Sequence, residues 1–391
     1  MQHPAISEVE TWTVPVSDKT TWIFLALRFE DGSAGWGEAT LSGAEEAVLA
    51  EAAHARSLLL GFRPAGPAAA LAALRMAHAS LARIVVMRAV EQALLDAMAR
   101  RAGLPLAALL GGAERGAVPV YANINRGIAD RSPAGFAARA KAVVESDGYR
   151  AVKIAPFDGL NWERSDDATG NALLAAGIAR IAAVREAIGP ERGLLVDCHS
   201  RLSPVMARTV LREAPGLFWL EEPLREDAFD AATTRALRGF ANDRGIRLAG
   251  GEHIASLAEA RDMLARGDYD AILPDLRWIG IRGAFAILEL AAASGVAVSL
   301  HNPVGPVLDQ VSLHVAAALP SFLILERQVR ESPLFDALRG GAPVLSDGNA
   351  VPEGAAGFGA EPDRAVLGQH RGQAVRRAAS LAGIGGAGAD A

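Results

Sequence analysis

From residue 118 onward the chain alternates two patterns. Short apolar runs rich in Val, Ile and Leu are followed by stretches whose apolar residues recur every three or four positions. The first pattern reads as strands and the second as helices. In the stretch 171–188, for example, Leu174, Ile178, Ile181, Val184 and Ile188 share one helical face. Strands are expected to start near 118, 151, 194, 218, 247, 271, 297 and 322, a span of 210 residues from 118 to 327. Strict alternation implies a parallel sheet. An open doubly wound sheet also alternates, but there are eight units and no glycine-rich phosphate fingerprint after the first strand. A (β/α)8 barrel is therefore favoured.

Residues 1–115 follow a different plan. ISEVETWTVPV and TTWIFLALRFEDG, followed by GWGEAT, read as an antiparallel meander with a turn at FEDG. EEAVLAEAAHARSLLL and MRAVEQALLDAMARRAG then carry helical spacing, and Gly103 and Pro105 end the second helix. This segment reads as a separate α+β domain. One barrel loop, FDGLNWERSDDATG (157–170), is longer than the rest and is either a cover over the mouth or a surface insertion. The final LAGIGGAGADA is Gly/Ala-rich and is expected to be disordered.

Composition narrows the class. With 391 residues and 51% hydrophobic content, the chain is long enough for a large domain plus a smaller one. Net charge is −6 and no basic run exists, which argues against a nucleic-acid partner. Cys198 is the sole cysteine, so no disulfide forms within the chain. No apolar stretch reaches membrane-spanning length and the N-terminus lacks a signal-peptide pattern. A soluble, cytoplasmic protein with no membrane partner is expected.

Candidate chemistry sits at the strand ends. LLVDCHSR, FWLEEP, LAGGEH, AILPD, AVSLHNP and FLILER each finish in an acid or a histidine, and every strand of such a barrel opens onto one face. Any one strand-end acid could equally cap a helix or pair with arginine. Asp197, Glu221 and Glu252 on consecutive strands favour a shared metal. Three carboxylates suit Mg²⁺, and no Cys/His set has zinc spacing. By strand alternation, Asp197, His199 and Arg201 share a side, whereas Glu221 and Glu222 oppose each other. Asp275 and His301 end neighbouring strands, so the acid can fix the ring's tautomer and leave its other nitrogen as a base. Asn302 and Pro303 follow in a rigid HNPVGP turn. His253 should point away from Glu252, and His54, His78, His314 and His370 lie in helical or terminal segments without catalytic pattern.

These residues resemble the enolase superfamily, in its mandelate racemase subgroup. GWGEA, EQALLDAMARRAGLPLAALLGG, VKI, VDCH, WLEEPL, GGEH, LPD, SLHNP and LER occur in the family's order over nearly the whole chain. The resemblance implies a modified (β/α)7β barrel (116–327) under an N-terminal cap (1–115), completed by segment 328–391. It implies Mg²⁺ on Asp197, Glu221 and Glu252, and removal of a proton α to a carboxylate. Lys153 becomes the candidate cation, and Glu326 matches a glutamate near the substrate carboxylate. If protonated, Glu326 donates a hydrogen bond; pairing with Arg327 is the competing reading. Many members carry a second lysine two residues after Lys153, but here the position is Ala155. A two-base racemase is therefore disfavoured and His301 is the main base. DCHSR resembles the Asp-x-His-x-Arg pattern of D-galactonate and D-mannonate dehydratases, which makes His199 the candidate acid for protonating a departing hydroxide; a contact that only supports a metal ligand is the competing reading. Arg201 either binds substrate or buttresses a carboxylate. The loops PVSDKTT and GEATLSGA of the cap should meet the distal end of the substrate. The expected function is Mg²⁺-dependent dehydration of an acid sugar to a 2-keto-3-deoxy acid. The alternatives are a racemase or epimerase on the same fold and a non-catalytic carboxylate binder. Family members are commonly homo-oligomers.

Overall fold

The computed structural model describes residues 4–76, 79–164, 167–341 and 344–370. His78 and the Gly/Ala-rich tail, on which expectations were placed above, lie outside the described residues, as do positions 165 and 166 of the long loop.

The chain opens with an antiparallel meander: β1 (Ile6–Pro15), β2 (Thr21–Phe29) and β3 (Ala34–Glu38). Helices α1 (Glu45–Leu59), α2 (Pro67–Leu74), α3 (Leu81–Ala102) and the short α4 (Leu106–Leu109) follow. The helix α2 falls in the stretch 44–110 that reads as helical, though its run of alanines gives too little polar–apolar contrast to mark it as a separate helix. The glycines of the GWGE motif let β3 lie directly on α3. A Cβ at Gly35 would stand 1.9 Å from the Ala93 carbonyl oxygen, and one at Gly37 would stand 2.0 Å from that of Ala89. Ile23, Leu25 and Leu27 of β2 pack against Val85, Val86 and Val90 of α3 in a core of their own.

The second unit alternates strand and helix. Its elements are β4 (Val118–Asn123), α5 (Pro133–Ser146), β5 (Ala151–Ile154), α6 (Ala168–Ile188), β6 (Gly193–Asp197), α7 (Pro204–Glu213) and β7 (Trp219–Glu221). They continue as α8 (Ala231–Asn242), β8 (Arg247–Gly250), α9 (Leu257–Arg266), β9 (Ala271–Ile272), α10 (Leu276–Ala293), β10 (Ala297–Leu300), α11 (Pro306–Ala318) and β11 (Ile324–Gln328). Each strand pairs in parallel with the next, and β11 pairs back onto β4, which closes the barrel. The eight expected strands all occur, with seven helices between them. Side, hydroxyl and carboxylate caps start most helices: Ser132, Asp167, Ser203, Asp230, Ser256 and Asp275 each accept a backbone N–H of the first turn.

After β11 come α12 (Leu334–Leu338), the small hairpin β12 (Leu345–Ser346) and β13 (Asn349–Ala350), and α13 (Arg364–His370). β13 pairs antiparallel with β4. The segment then returns to the meander. Trp36 Nε1 donates to Glu361 at 3.1 Å and Arg364 Nη2 to Glu10 at 3.1 Å. No helix among the described residues is long and apolar enough to cross a membrane.

Asp96 of α3 holds three parts of this arrangement together. Its carboxylate is fully buried and accepts the Trp36 N–H of β3, the Phe358 N–H of the returning segment and the Arg100 Nε–H. Burial pushes the carboxyl up to about 6 against the pull of Arg100 and the two N–H groups. Replacing Asp96 by Ala strands two buried N–H groups and removes the ion pair with Arg100, so we expect a loss of about 3 kcal/mol in urea unfolding. Asp96→Asn, which keeps one acceptor, should lose less; an alanine variant as stable as wild type would refute the clamp.

Candidate active site

Period-two alternation carries the chemistry from the barrel floor to its mouth. Tyr121, Ala151, Leu195, Trp219, Leu273 and Ile324 face inward and pack on one another. The next inward position on each strand is two residues on. Those positions are Asn123, Lys153, Asp197, Glu221, Asp275 and Glu326. A ring of polar groups therefore sits directly on an apolar floor, and all but Asn123 were singled out in the sequence. Asn123 was missed although the same rule applies to β4; it is the register partner of Lys153.

At the centre of the ring lies Lys153, fully buried. Its Nζ is 2.6 Å from Glu221 Oε1, 2.9 Å from Glu326 Oε1 and 3.6 Å from Asp197 Oδ2. Burial alone would pull the ammonium down, but Glu221 and Glu326 hold it well above the usual lysine range. Burial pushes the Glu221 carboxyl up; Lys153 resists this, and Asp197 and Glu326 add to it. The other oxygen of Glu221 accepts the Trp219 indole N–H at 2.8 Å.

Asp197 and Glu221 are register partners on adjacent strands. Past Asp197 the chain leaves the strand through two left-handed residues, His199 (φ 47) and Ser200 (φ 56). The turn is pinned to the end of β7 by Cys198 N–H on the Glu221 carbonyl and Ser200 N–H on the Glu222 carbonyl. His199 thus reaches the site by a turn, although alternation had predicted the same side. Its Nε2 lies 3.1 Å from Asp197 Oδ2. Burial works against the imidazolium, but the Asp197 carboxylate outweighs it and raises the ring's pKa. Asp197 is correspondingly held well below the usual carboxylate range, by His199 and Lys153 against burial.

Glu222 (φ 39) lies just past β7, and its Oε1 accepts the N–H groups of Gly251 and Glu252. Glu252 lies beyond β8, where Gly251 (φ 90) turns the chain. Two expectations shift here, because strand alternation ends at Gly250. Glu252 reaches the site through the turn, with Oε2 3.3 Å from His301 Nε2. His253, expected to point away, has Nε2 3.4 Å from Glu252 Oε1, with most of its side chain in solvent.

His301 Nδ1 lies 2.9 Å from Asp275 Oδ2, and the two residues also form a parallel bridge. Burial opposes charge on the ring, but Glu252 and Asp275 raise it to about 9. Asp275 also caps α10 and pairs with Arg277, which helps hold its carboxyl down at about 2 against burial. Glu326 accepts at both oxygens, from Asn123 Nδ2 (2.7 Å) and from the Asn302 N–H (2.8 Å). Lys153 and His301 lower its pKa against burial. Glu326 also lies 2.9 Å from Lys153 Nζ. Arg327 pairs instead with Asp309, from the opposite face of β11.

A cavity of about 790 Å³ opens over this ring, lined in part by Lys153, Asp197, His199, Arg201 and His301. Ala155, two beyond Lys153, lines it too and offers no proton acceptor. Ser17, Asp18, Lys19, Thr20 and Ser42 bring both expected loops of the meander unit to its wall. The long loop contributes Phe157, Asp158 and Gly159, and Arg131 anchors it through Asp158 at 2.7 Å. Arg201 donates to the Phe157 carbonyl at 3.0 Å.

Among the described residues, no three His, Cys, Asp or Glu side chains are gathered closely enough to hold a metal ion. Glu221 spends its oxygens on Lys153 and Trp219. The donor set nonetheless fits a hard cation: three carboxylates at or just past three consecutive strand ends, and no sulfur ligand. Glu252 Oε2 is buried with no hydrogen bond, meeting only the His301 ring at ion-pair distance, so its coordination is incomplete.

Comparison with known proteins agrees with the architecture. A family model described as the mandelate racemase / muconate lactonizing enzyme N-terminal domain matches residues 7–111, and one described as enolase C-terminal domain-like matches residues 135–366. A D-galactonate dehydratase family member of Streptomyces bingchenggensis is 30% identical over 93% of both chains. The D-gluconate dehydratase of Thermoproteus tenax is 35% identical over 61% of this chain, a match that spans only 46% of that relative. A putative galactarate dehydratase from Agrobacterium radiobacter, solved with sodium and L-malate, superposes with TM-score 0.78 at 25% identity, covering 94% of this chain and 95% of that one.

Removing the central cation tests the charge balance. Lys153→Met leaves buried carboxylates unpaired, and we expect a loss of about 3–5 kcal/mol in unfolding free energy. The stranded acids then have folded pKa values above their unfolded ones, so the variant should regain stability as pH falls. A variant that loses stability in parallel with wild type on acidification would contradict this.

Proposed function

The chain belongs to the mandelate racemase / muconate lactonizing enzyme family of the enolase superfamily, and from that premise we propose that it dehydrates an acid sugar. It is related to acid-sugar dehydratases. The observation that carries the finer reading is the presence in one cavity of two histidines in opposite settings. His301 is backed by Asp275 through Nδ1, and His199 is backed by Asp197 through Nε2.

Superfamily members typically use a divalent metal. Asp197, Glu221 and Glu252 would hold Mg²⁺ here, and the ion would supply positive charge for the substrate carboxylate. Lys153 adds a second positive charge where negative charge develops on that carboxylate. His301 takes the C2 proton on Nε2, while Asp275 keeps the other ring proton in place. His199 acts as the acid and gives its proton to the C3 hydroxyl, which leaves as water. The C2–H and C3–OH are lost together as one H₂O, and the resulting enol tautomerises to the 2-keto-3-deoxy acid.

Ala155 disfavours racemisation, because a second base on the opposite face is needed for two-way proton exchange. The test is incubation of the Mg²⁺-loaded protein with aldonic and aldaric acids, reading 2-keto product. His301→Asn should lower turnover by about 10²–10⁴-fold. His199→Asn should lose 2-keto product to a similar extent yet still exchange the C2 proton with deuterated solvent. Exchange without water loss in the wild type would indicate an epimerase instead. Mg²⁺ at a hundredfold excess over its Kd should stabilise the fold by about 2.7 kcal/mol. Asp197→Asn should erase that shift; an equal shift in the variant would remove Asp197 from the ligand set.

A further inference from the structure

The Asp275–His301 pair does not support itself. Arg277 Nε lies 2.9 Å and 3.1 Å from the two oxygens of Asp275, and Nη2 lies 2.6 Å from Oδ2. Oδ2 is also the oxygen that meets His301 Nδ1, while Oδ1 accepts the Arg277 backbone N–H. Both oxygens are committed, so the carboxylate cannot rotate away from the ring. The guanidinium is itself buried. Its Nη1 faces the Thr40 carbonyl at a longer 3.4 Å, and the Glu38 carboxylate adds its attraction.

Thr40 and Glu38 belong to the end of β3 and the residues after it, in the capping unit. Thr40 Oγ1 donates to Glu38 Oε1 at 2.7 Å. The same carboxylate accepts the N–H groups of Gly305 (2.6 Å) and Leu308 (3.0 Å). These N–H groups start α11, whose N-cap residue Gly305 has no capping side chain of its own. Glu38 therefore caps from another domain the helix that follows the His301 loop. One short segment of the cap thus reaches both halves of the pair: Asp275 through Arg277, and the His301 loop through α11.

A second cap element holds the same turn. Arg88 Nε of α3 donates to the Trp278 carbonyl, and Trp278 Nε1 donates to the Glu252 carbonyl, both at 3.0 Å. Gly280 (φ 69) breaks α10 just beyond, so the turn 275–278 is set apart from the rest of the helix. A Cβ at Gly280 would stand 2.2 Å from Glu91 Oε2 of α3.

We infer that Arg277 is a positioning residue for the proton-transfer pair, and that the capping unit, through Glu38 and Thr40, sets the geometry of that pair. The inference rests on the dehydratase reading only for the choice of the reaction that is timed. Arg277→Met and Arg277→Lys are to be compared with Glu38→Gln in the full chain with Mg²⁺. Arg277→Lys keeps the charge and so the fold, should the methionine variant fail to fold, but it loses the fork. Residues that orient a catalytic ring typically cost 10–100-fold when replaced. The expected result is a fall of about that size in kcat per folded molecule, with KM changed by less than about threefold. Arg277→Lys combined with Glu38→Gln should lose less than the product of the two single losses. Independently of turnover, ¹⁵N-histidine spectra should show the His301 ring leaving a single Nδ1-protonated tautomer in Arg277→Lys. A folded Arg277→Lys with wild-type kcat and an unmoved ring overturns the inference. Should the wild type act on no acid sugar while the ring still moves, the dehydratase reading falls and the positioning role stands.

Discussion

Buried negative charge is the constraint from which the rest of this molecule follows. Asp197, Glu221, Glu222, Asp275 and Glu326 are all buried around the barrel mouth, with Glu252 close beside them. So many carboxylates cannot share a low-dielectric space without counter-charge. Lys153 answers three of them, Arg277 answers Asp275, and the two histidines answer Asp197 and Glu252. His199 and Arg277 answer acids two residues away in their own turns, whereas Lys153 and His301 reach acids from other strands, so that part of the charge balance is also a set of tertiary restraints. The stability of the mouth and the reactivity of the mouth are one electrostatic problem.

That problem explains why the cap is more than a roof. Glu38 is a buried acid that reaches backbone N–H groups across the interface, at the start of α11, while Asp96 ties the cap's own α3 to β3 and to the returning segment. A carboxylate at a helix start is favoured by the helix dipole as well as by the hydrogen bonds. The interface therefore has direction and register as well as area. Because α11 follows the His301 loop directly, whatever seats the cap also seats the ring.

Much of this was legible in the sequence, for specific reasons. The strands were legible because each is a short apolar run closed by a polar residue, and Asp197, Glu221, Asp275, His301 and Glu326 followed from their strand-end positions. The period-two rule then failed where the chain left its strands. Glu252 and His253 sit past Gly251, whose left-handed backbone has no signature beyond the residue type. His199 reached its expected place by a pair of left-handed residues that alternation does not foresee. The partners of Glu326 went unread because Asn123 and the Asn302 N–H come from β4 and from the loop after β10. Glu38 was visible only as part of GWGEA, and Arg277 only as a residue after LPD. Neither spacing nor composition says that Arg277 meets the segment just after Glu38, since more than two hundred residues separate them.

The bland and the functional readings of a strand-end acid turn out not to compete. Asp275 caps α10, pairs with an arginine and holds a histidine, all with the same two oxygens. The cap and the ion pair are what make the third contact useful. A free carboxylate beside His301 would exchange between rotamers and would draw a proton itself as burial raised its pKa. Tied by its own helix N–H and by a forked guanidinium, it stays ionised, stays put and leaves only the far nitrogen of the ring to work. Structural saturation of the orienting acid is thus a condition for the base beside it, and the same logic applies to Asp197, whose Oδ1 takes the His199 backbone N–H while Oδ2 meets the ring.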